Sequence, residues 1–438
     1  MSPHRLACVS VVFATLLGTA CGGNIPGNSS DSGGGTAGSG TAGGSGGQSG
    51  GGSTANTAGT APMGGSTAAG SGGSTPTSGS DAGGAAGSSA GTSGSAGSGG
   101  SGGGYVITAP PPQSSTASWV FVDGYRLFVG KRVNGELESP TPFVIKGIGW
   151  SPTGVGETNT GGYADFYTQY RNQDVPLIEE LNANTVKTYD IFELGSAGTQ
   201  LLDDLYARGV MVIMSVLLSH DDQGHVVDAV NAFKDHPAML MWVVGNEFNY
   251  NELYGAGSYN AARDIVNSTI DTIHGLDPDH PVAVSFGEVP TLTQYNEIPN
   301  ADVWSVNIYP GLTFATRFNN WLNLSDKPMF VGEYGADAWN TNTNSEDQAA
   351  QSLAIESLTG EIHEWLSAND EDFPALGGTP YALTDEWWKS GNASSHDNGG
   401  FANAVHPDGM ANEEWWGLCS IQRDKRTAFN TLAGMYAQ

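Results

Sequence analysis

The chain has 438 residues and a formal charge of −29, from 16 basic and 45 acidic side chains. Nucleic-acid binding is excluded on that balance, because phosphate contacts need clustered Lys and Arg. Cys8 and Cys21 lie near the N-terminus and Cys419 stands alone in the rest of the chain, so an internal disulfide is excluded there and the fold must stand on its core.

Residues 1–21 join Arg5 to the apolar run LACVSVVFATLLGTA and end at Cys21, a charged region followed by a short apolar one and small residues. Ending in LLGTAC, this stretch resembles a bacterial lipoprotein signal whose Cys21 becomes the lipidated first residue, although Leu17 stands one place before the usual leucine. A plain secretory signal is the other reading. Residues 22–116 are dominated by Gly, Ser, Thr and Ala. Such a tract buries too little apolar surface to offset ordering entropy and is expected to be a disordered linker, spanning on the order of 50 Å. No later stretch approaches the roughly 18 unbroken apolar residues of a membrane helix. Membrane contact is therefore expected only through a lipidated Cys21.

The composition changes near residue 117, and residues 117–438 are expected to form one catalytic domain. WVFVDGYRLFVG predicts a β-hairpin around Asp123-Gly124. Apolar runs then follow at 143–150, 184–190, 211–218, 239–247, 281–287, 302–309, 327–335 and 377–388. Helical patterns lie between them. DVPLIEELNA is expected to start with Asp174 as N-cap and Pro176 in the first turn. TQLLDDLYARG places Leu201, Leu202, Leu205 and Tyr206 at helical spacing and stops at Gly209. HVVDAVNAF and AARDIVNSTIDTIHG continue the series, and in SEDQAAQSLAIESLTGEIHEWL Ser345 and Gln348 have capping-box spacing.

Alternating strands and helices imply βαβ units, and strands apolar throughout imply a sheet covered on both faces. Eight units in this length fit an α/β fold of the (β/α)8 TIM-barrel type, preceded by the hairpin and the linker. No phosphate-binding glycine motif follows the first strand. In such a barrel the active site lies at the C-terminal ends of the strands. Polar residues ending the apolar runs are Lys187 and Asp190, Asn246 and Glu247, Asn307 and Tyr309, and Glu333. Either glutamate alone reads as well in a structural role, capping the following helix or pairing with Lys187, as in a catalytic one. Two carboxylates converging on one mouth are harder to explain that way, since burying like charges together is unfavourable unless one takes a proton. Two carboxyls in one pocket are what retaining glycoside hydrolysis requires, with an expected separation of ~5–5.5 Å.

GNE at 245–247 and VGEYG at 331–335 resemble the retaining (β/α)8 glycoside hydrolases of clan A. Within the clan, DVPLIEELNANTVKTYDIF, VVGNEFN, VNIYPG and MFVGEYGADA look most like the β-1,3-glucanosyltransferases of family 72, with families 2 and 17 as neighbours. The resemblance implies Glu247 as acid/base, Glu333 as nucleophile, Asn246 as partner of the sugar 2-hydroxyl and Tyr309 as the phenol that holds Glu333. It departs from the clan at Lys187, where Arg is usual and a bidentate fork is lost. Family-72 cysteines are also missing. The resemblance further implies that a tryptophan at the end of strand eight floors the central subsite, which singles out Trp387 and Trp388; Trp150, Trp339, Trp415 and Trp416 are further aromatic candidates. Asp385 and Glu386 beside the pair read as supporting or rim charges. His220, Asp221, Asp222 and His225 in SHDDQGH lack metal-site spacing and read as a solvated loop, so neither metal nor cofactor is expected.

The expected activity is that of an exported, monomeric retaining β-glycosidase acting on a β-glucan or related polysaccharide. A non-catalytic carbohydrate-binding surface lipoprotein on the same scaffold is the alternative, and a structural adhesin a third.

Overall fold

The computed structural model describes residues 117–133, 136–138 and 140–438. The signal and linker expected over 1–116 lie outside the described residues. Eight parallel strands close into a barrel: β1 (Ile145–Trp150), β2 (Thr185–Thr188), β3 (Met211–Val216), β4 (Met239–Val244), β5 (Val282–Gly287), β6 (Val303–Asn307), β7 (Met329–Glu333) and β8 (Ala375–Gly378). The circle closes where Gly377 and Gly378 pair with Ile145 and Lys146. Each strand is followed by a helix: α1 (Ala164–Glu180), α2 (Ser196–Ala207), α3 (Gln223–Phe233), α4 (Tyr259–Leu276), α5 (Leu292–Asn296), α6 (Arg317–Leu322), α7 (Gln348–Glu364) and α8 (Thr427–Tyr436).

The strands are apolar on both faces because each face has its own core. Met239, Trp242 and Val244 of β4 pack in the large cluster shared with the helices. Leu240, Met241 and Val243 join Ile145, Ile213, Phe330 and Leu376 in a second cluster, which also contains Val120 and Leu127. Those last two belong to the N-terminal hairpin, Ala117–Asp123 and Arg126–Val133, which turns through Gly124 and Tyr125. Ser118 Oγ donates to the Met239 carbonyl at 2.8 Å, and the Val120 N–H donates to the Asp279 carbonyl at 2.8 Å. Both acceptors lie at strand starts, so the hairpin plugs the N-terminal end of the barrel. The opposite end is left for loops.

Three sequence expectations need correction. Asp174 is not an N-cap; it sits at 0% exposure inside α1, where its carboxylate takes Trp150 Nε1 at 2.9 Å and Arg423 Nε at 2.8 Å. The helix begins ten residues earlier with ADFYTQY, whose inward residues are tyrosines rather than aliphatics. Ser345 does not cap α7: Asp347 does, accepting from the Ala350 N–H at 3.0 Å, while Ser345 and Glu346 pair with Asn340 and Trp339. The eighth strand ends at Gly378, because Pro380 has no N–H for the ladder and Leu383 N–H turns back to the Gly149 carbonyl at 2.9 Å. Within SHDDQGH, His220–Asp222 form a short 3-10 turn with a capping box between Ser219 and Asp222, and Gln223 already starts α3. Among the described residues no helix is long and apolar enough to cross a membrane. Cys419 is a buried free thiol, its pKa pushed up to about 12 by burial.

Candidate active site

The run MLMWVV of β4 is fully buried, and the chain then leaves the barrel abruptly. Gly245 takes φ +74 and Glu247 the left-handed conformation, φ 51 and ψ 38. A non-glycine residue there is strained by about 1–2 kcal/mol. The turn is held from outside: Asn251 Nδ2 donates to the Asn246 carbonyl at 2.6 Å, and Asn249 pairs with both the N–H and the carbonyl of Gly287 at 2.8 and 3.0 Å. These bonds aim Glu247 across the mouth.

Glu333 is the last residue of β7 and 6% exposed. Its preceding glycine explains how it comes to face β6: a Cβ on Gly332 would lie 2.1 Å from Ser305 Oγ and 2.8 Å from Asn307 Oδ1. Glycine lets the strand ends approach, and the register shifts there: Val306 pairs with Val331 and Asn307 with Glu333, passing over Gly332. Lys187 Nζ reaches Glu333 Oε1 at 3.1 Å and the Tyr309 hydroxyl donates to Oε2 at 2.8 Å. Lys187 is fully buried and stands 4.3 Å from the ring centroid of Tyr189.

Asn307 Nδ2 donates to Glu247 Oε1 at 3.2 Å and to Asn246 Oδ1 at 3.3 Å. Ser285 Oγ also donates to Asn246 Oδ1, at 3.3 Å. The Asn246 carbonyl oxygen is thus fixed inward and its amide N–H2 turned outward. Lys187, Asn246, Glu247, Asn307, Tyr309 and Glu333 therefore form one connected cluster, built from β2, β4, β6 and β7.

The two glutamates have different surroundings. Burial, and then the Glu333 charge, raise the Glu247 pKa to about 8, against opposing pulls from Asn307, Lys187 and Lys389. Burial and the Glu333 charge both favour the protonated form of Glu247. Glu333 instead receives an ammonium and a phenol O–H, the partners a carboxylate accepts. One carboxyl able to give a proton beside one able to attack is the pairing that retaining glycosidases use.

The tryptophans divide. Trp150 is core, at 0% exposure. Trp388 Nε1 donates to Glu386 Oε1 at 3.1 Å, and Trp387 stacks on His396 with centroids 4.8 Å apart. The ring that touches the cluster is Trp416, edge-on to Tyr309 at 4.8 Å. Beyond β8 lies a charged group of which sequence reasoning named Glu386 as a supporting or rim charge but missed Lys389 and Glu413. Glu386 accepts from the Tyr163 hydroxyl at 2.5 Å and from the Tyr381 hydroxyl; Lys389 lies 3.4 Å from Glu386 and 3.9 Å from Glu413. Nothing in WWKSGNASSH marks Lys389, since its partners arrive from 381–386 and 413. Asp385 is structural, bridged to Arg426 at 2.7 Å.

A closed eight-stranded barrel with Asn-Glu after its fourth strand and Glu closing its seventh is the arrangement that retaining glycoside hydrolases of this fold share. Residues 219–378 match the family model "Glycosyl hydrolases family 2, TIM barrel domain", a stretch holding both glutamates. The match corrects the resemblance to family 72 in favour of family 2, named above as a neighbour. β-Glucuronidase of Rattus norvegicus is 29% identical over 192 residues, covering 38% of this chain and 28% of that protein. β-Glucuronidase of Homo sapiens is 31% identical over 122 residues, covering 25% and 17%. The chain thus spans less than a third of the length of these relatives. In fold it is similar to a family-2 β-galacturonidase from Eisenbergiella tayi bound to galacturonate, with TM-score 0.51 and 17% identity over 73% of this chain and 54% of that one.

Proposed function

We propose that the protein is a retaining β-glycosidase that acts by double displacement on a neutral β-linked glucan or related saccharide. The observation that carries the mechanism is the unequal pair: a buried Glu247, whose pKa burial and the Glu333 charge raise, and a Glu333 addressed by Lys187 and Tyr309. Glu333 attacks the anomeric carbon; the bond to the leaving oxygen breaks, and that oxygen takes the Glu247 proton. Glu247, now a base, draws a proton from water or from an acceptor sugar hydroxyl. The resulting oxygen nucleophile displaces Glu333 from the anomeric carbon. Asn246, through its outward amide, binds the sugar 2-hydroxyl.

The named relatives act on uronides, whose carboxylate calls for an unmatched cation. The mouth of this barrel favours a neutral sugar. Lys187 is matched by Glu333, and Lys389 faces both Glu386 and Glu413. Incubation with 2-deoxy-2-fluoro β-glycosides and mass spectrometry of the peptides should find the label on Glu333. Label on another residue, or none with gluco, galacto and manno reagents, removes this assignment and favours a binding protein that has lost turnover.

Export and anchoring belong to the same proposal and are carried only by residues 1–21. Radiolabelled palmitate should enter the wild-type chain and not the Cys21→Ser variant in a bacterial host; equal labelling of both rejects the anchor.

A further inference from the structure

Around the two central glutamates lies a loop, residues 384–417, whose role in recognition the mechanism above does not use. Its acidic pair Glu413 and Glu414 divides sharply. Glu414 is 0% exposed and fully engaged, accepting the Ser390 N–H at 3.0 Å and the Asp397 N–H at 2.6 Å. Asn412, also 0% exposed, donates to the carbonyls of Asn398 and Gly399 at 2.8 and 3.2 Å. Both neighbours are thus committed to holding the loop. Glu413 between them is held only loosely: among the described residues its carboxylate accepts no hydrogen bond, and its one ion pair is the long 3.9 Å contact with Lys389 Nζ, which Glu386 shares.

An unbonded carboxylate at 16% side-chain exposure is unfavourable unless something completes it. Glu413 is surrounded by like charge. Burial raises its pKa; Glu386, Asp337 and Glu333 push the same way, while Lys389 opposes them. A chain of contacts joins it to the mouth: its partner Lys389 stands 4.3 Å from the Tyr381 ring, Tyr381 packs edge-on to Tyr189 at 5.4 Å, and Tyr189 lies 4.3 Å from Lys187, the partner of Glu333. Lys389 does not release it, because that ammonium is shared with Glu386 at 3.4 Å and lies 4.3 Å from the Tyr381 ring centroid.

We infer that Glu413 is a specificity-determining residue that receives hydroxyl groups of a neutral sugar on the glycone side and repels uronates. The inference rests on the β-glycosidase reading above. Sugar hydroxyls are good donors, and two on adjacent carbons match the two oxygens of a carboxylate. A uronate would instead set its own carboxylate against Glu413 and Glu386, with only Lys389 between them. The neighbouring contacts of Asn412 and Glu414 fix the loop before substrate arrives, so little ordering is needed on binding.

The test uses the full chain and 4-nitrophenyl β-D-glucoside, β-D-galactoside, β-D-glucuronide and the 3-, 4- and 6-deoxy forms of the better neutral substrate. The wild type should prefer a neutral glycoside to the glucuronide. Glu413→Gln should lower kcat/KM on it by about 10- to 100-fold, the range expected for a hydrogen bond to a charged group. At least one deoxy substrate should be poor for the wild type and lose nothing further in the variant. Glu413→Asp, which keeps the charge but draws it back, should lose a similar factor while still rejecting the glucuronide. The melting temperature of Glu413→Gln should hold or rise, because a carboxylate without hydrogen bonds has left neighbours mostly of its own sign; a residue that merely supports the loop would lower it. A change under about threefold on all neutral substrates, or a wild type that prefers the glucuronide, overturns the inference while leaving glycosidase activity standing. No turnover of any glycoside together with no 2-fluoro labelling removes the underlying reading, and this inference with it.

Discussion

Replacing Asn307 with alanine should move the alkaline limb of the pH–rate profile upwards. Its amide donates to Glu247 Oε1 at 3.2 Å and holds the Glu247 pKa down, against burial and Glu333, which raise it to about 8. The donor stabilises the ionised carboxylate, so its removal favours the proton and Glu247 stays acidic to higher pH. A hydrogen bond to a charged group contributes about 1.5–3 kcal/mol, and each pKa unit corresponds to about 1.4 kcal/mol, so the limb should rise by roughly one to two units. The plateau should fall, because Asn246 Oδ1 loses one of its two donors. The assay is kcat/KM against pH for an aryl glycoside with a poor leaving group, whose departure needs the acid. A 2,4-dinitrophenyl glycoside, which leaves unaided, serves as control and should lack the alkaline limb in both proteins. A limb that stays put or moves downwards in Asn307→Ala refutes the reasoning, as does an equal limb with the dinitrophenyl substrate.

Glu247→Gln should abolish turnover of unactivated substrates yet raise stability. A carboxyl whose folded pKa lies above its unfolded one destabilises the fold as pH climbs between the two values, so the gain should be of order 1–3 kcal/mol at pH 7 and vanish near pH 4 in denaturant unfolding. Gly332→Ala forces a methyl against Ser305 and Asn307, and overpacking of this kind should cost about 1–3 kcal/mol and more than tenfold in kcat, seen by thermal melting and steady-state kinetics. At the other end of the barrel His280 links Ser118 at 2.8 Å to Asp277 at 2.9 Å. Burial lowers the His280 pKa, but Asp277 and its neighbours outweigh it and the net direction is upward. That stability is complete below the unfolded value near 6.5 and is lost as pH rises through the folded one. Asp277→Asn should therefore destabilise more at pH 6 than at pH 9, and an equal loss at both would show that His280 is neutral in the fold.

Much of this was legible in the chain itself. The period of the apolar runs defines eight strands, and their lack of polar alternation implies two covered faces, because a residue facing either core must be apolar whatever its neighbours do. Polar residues ending such runs, Lys187, Asn246, Glu247, Asn307, Tyr309 and Glu333, are conspicuous for the same reason, and strand ends are where a barrel places its chemistry. Other features depended on contacts between residues distant in sequence. Asp174 looks like a helix cap until Arg423 arrives to pair with it inside α1. Trp387 and Trp388 look like the end of an eighth strand until Pro380 stops the ladder nine residues before Lys389. Trp416 meets Tyr309 only because a loop after β8 folds back over β6. The proton on Glu247 is likewise a property of the assembled mouth: its pKa is set by burial, by Glu333 from β7 and by Asn307 from β6. Local pattern determines which side chains reach the mouth, because it is written at a spacing of a few residues; which carboxyl favours its proton, and which is left without a hydrogen bond as Glu413 is, is decided by charges that only tertiary structure brings within a few ångströms.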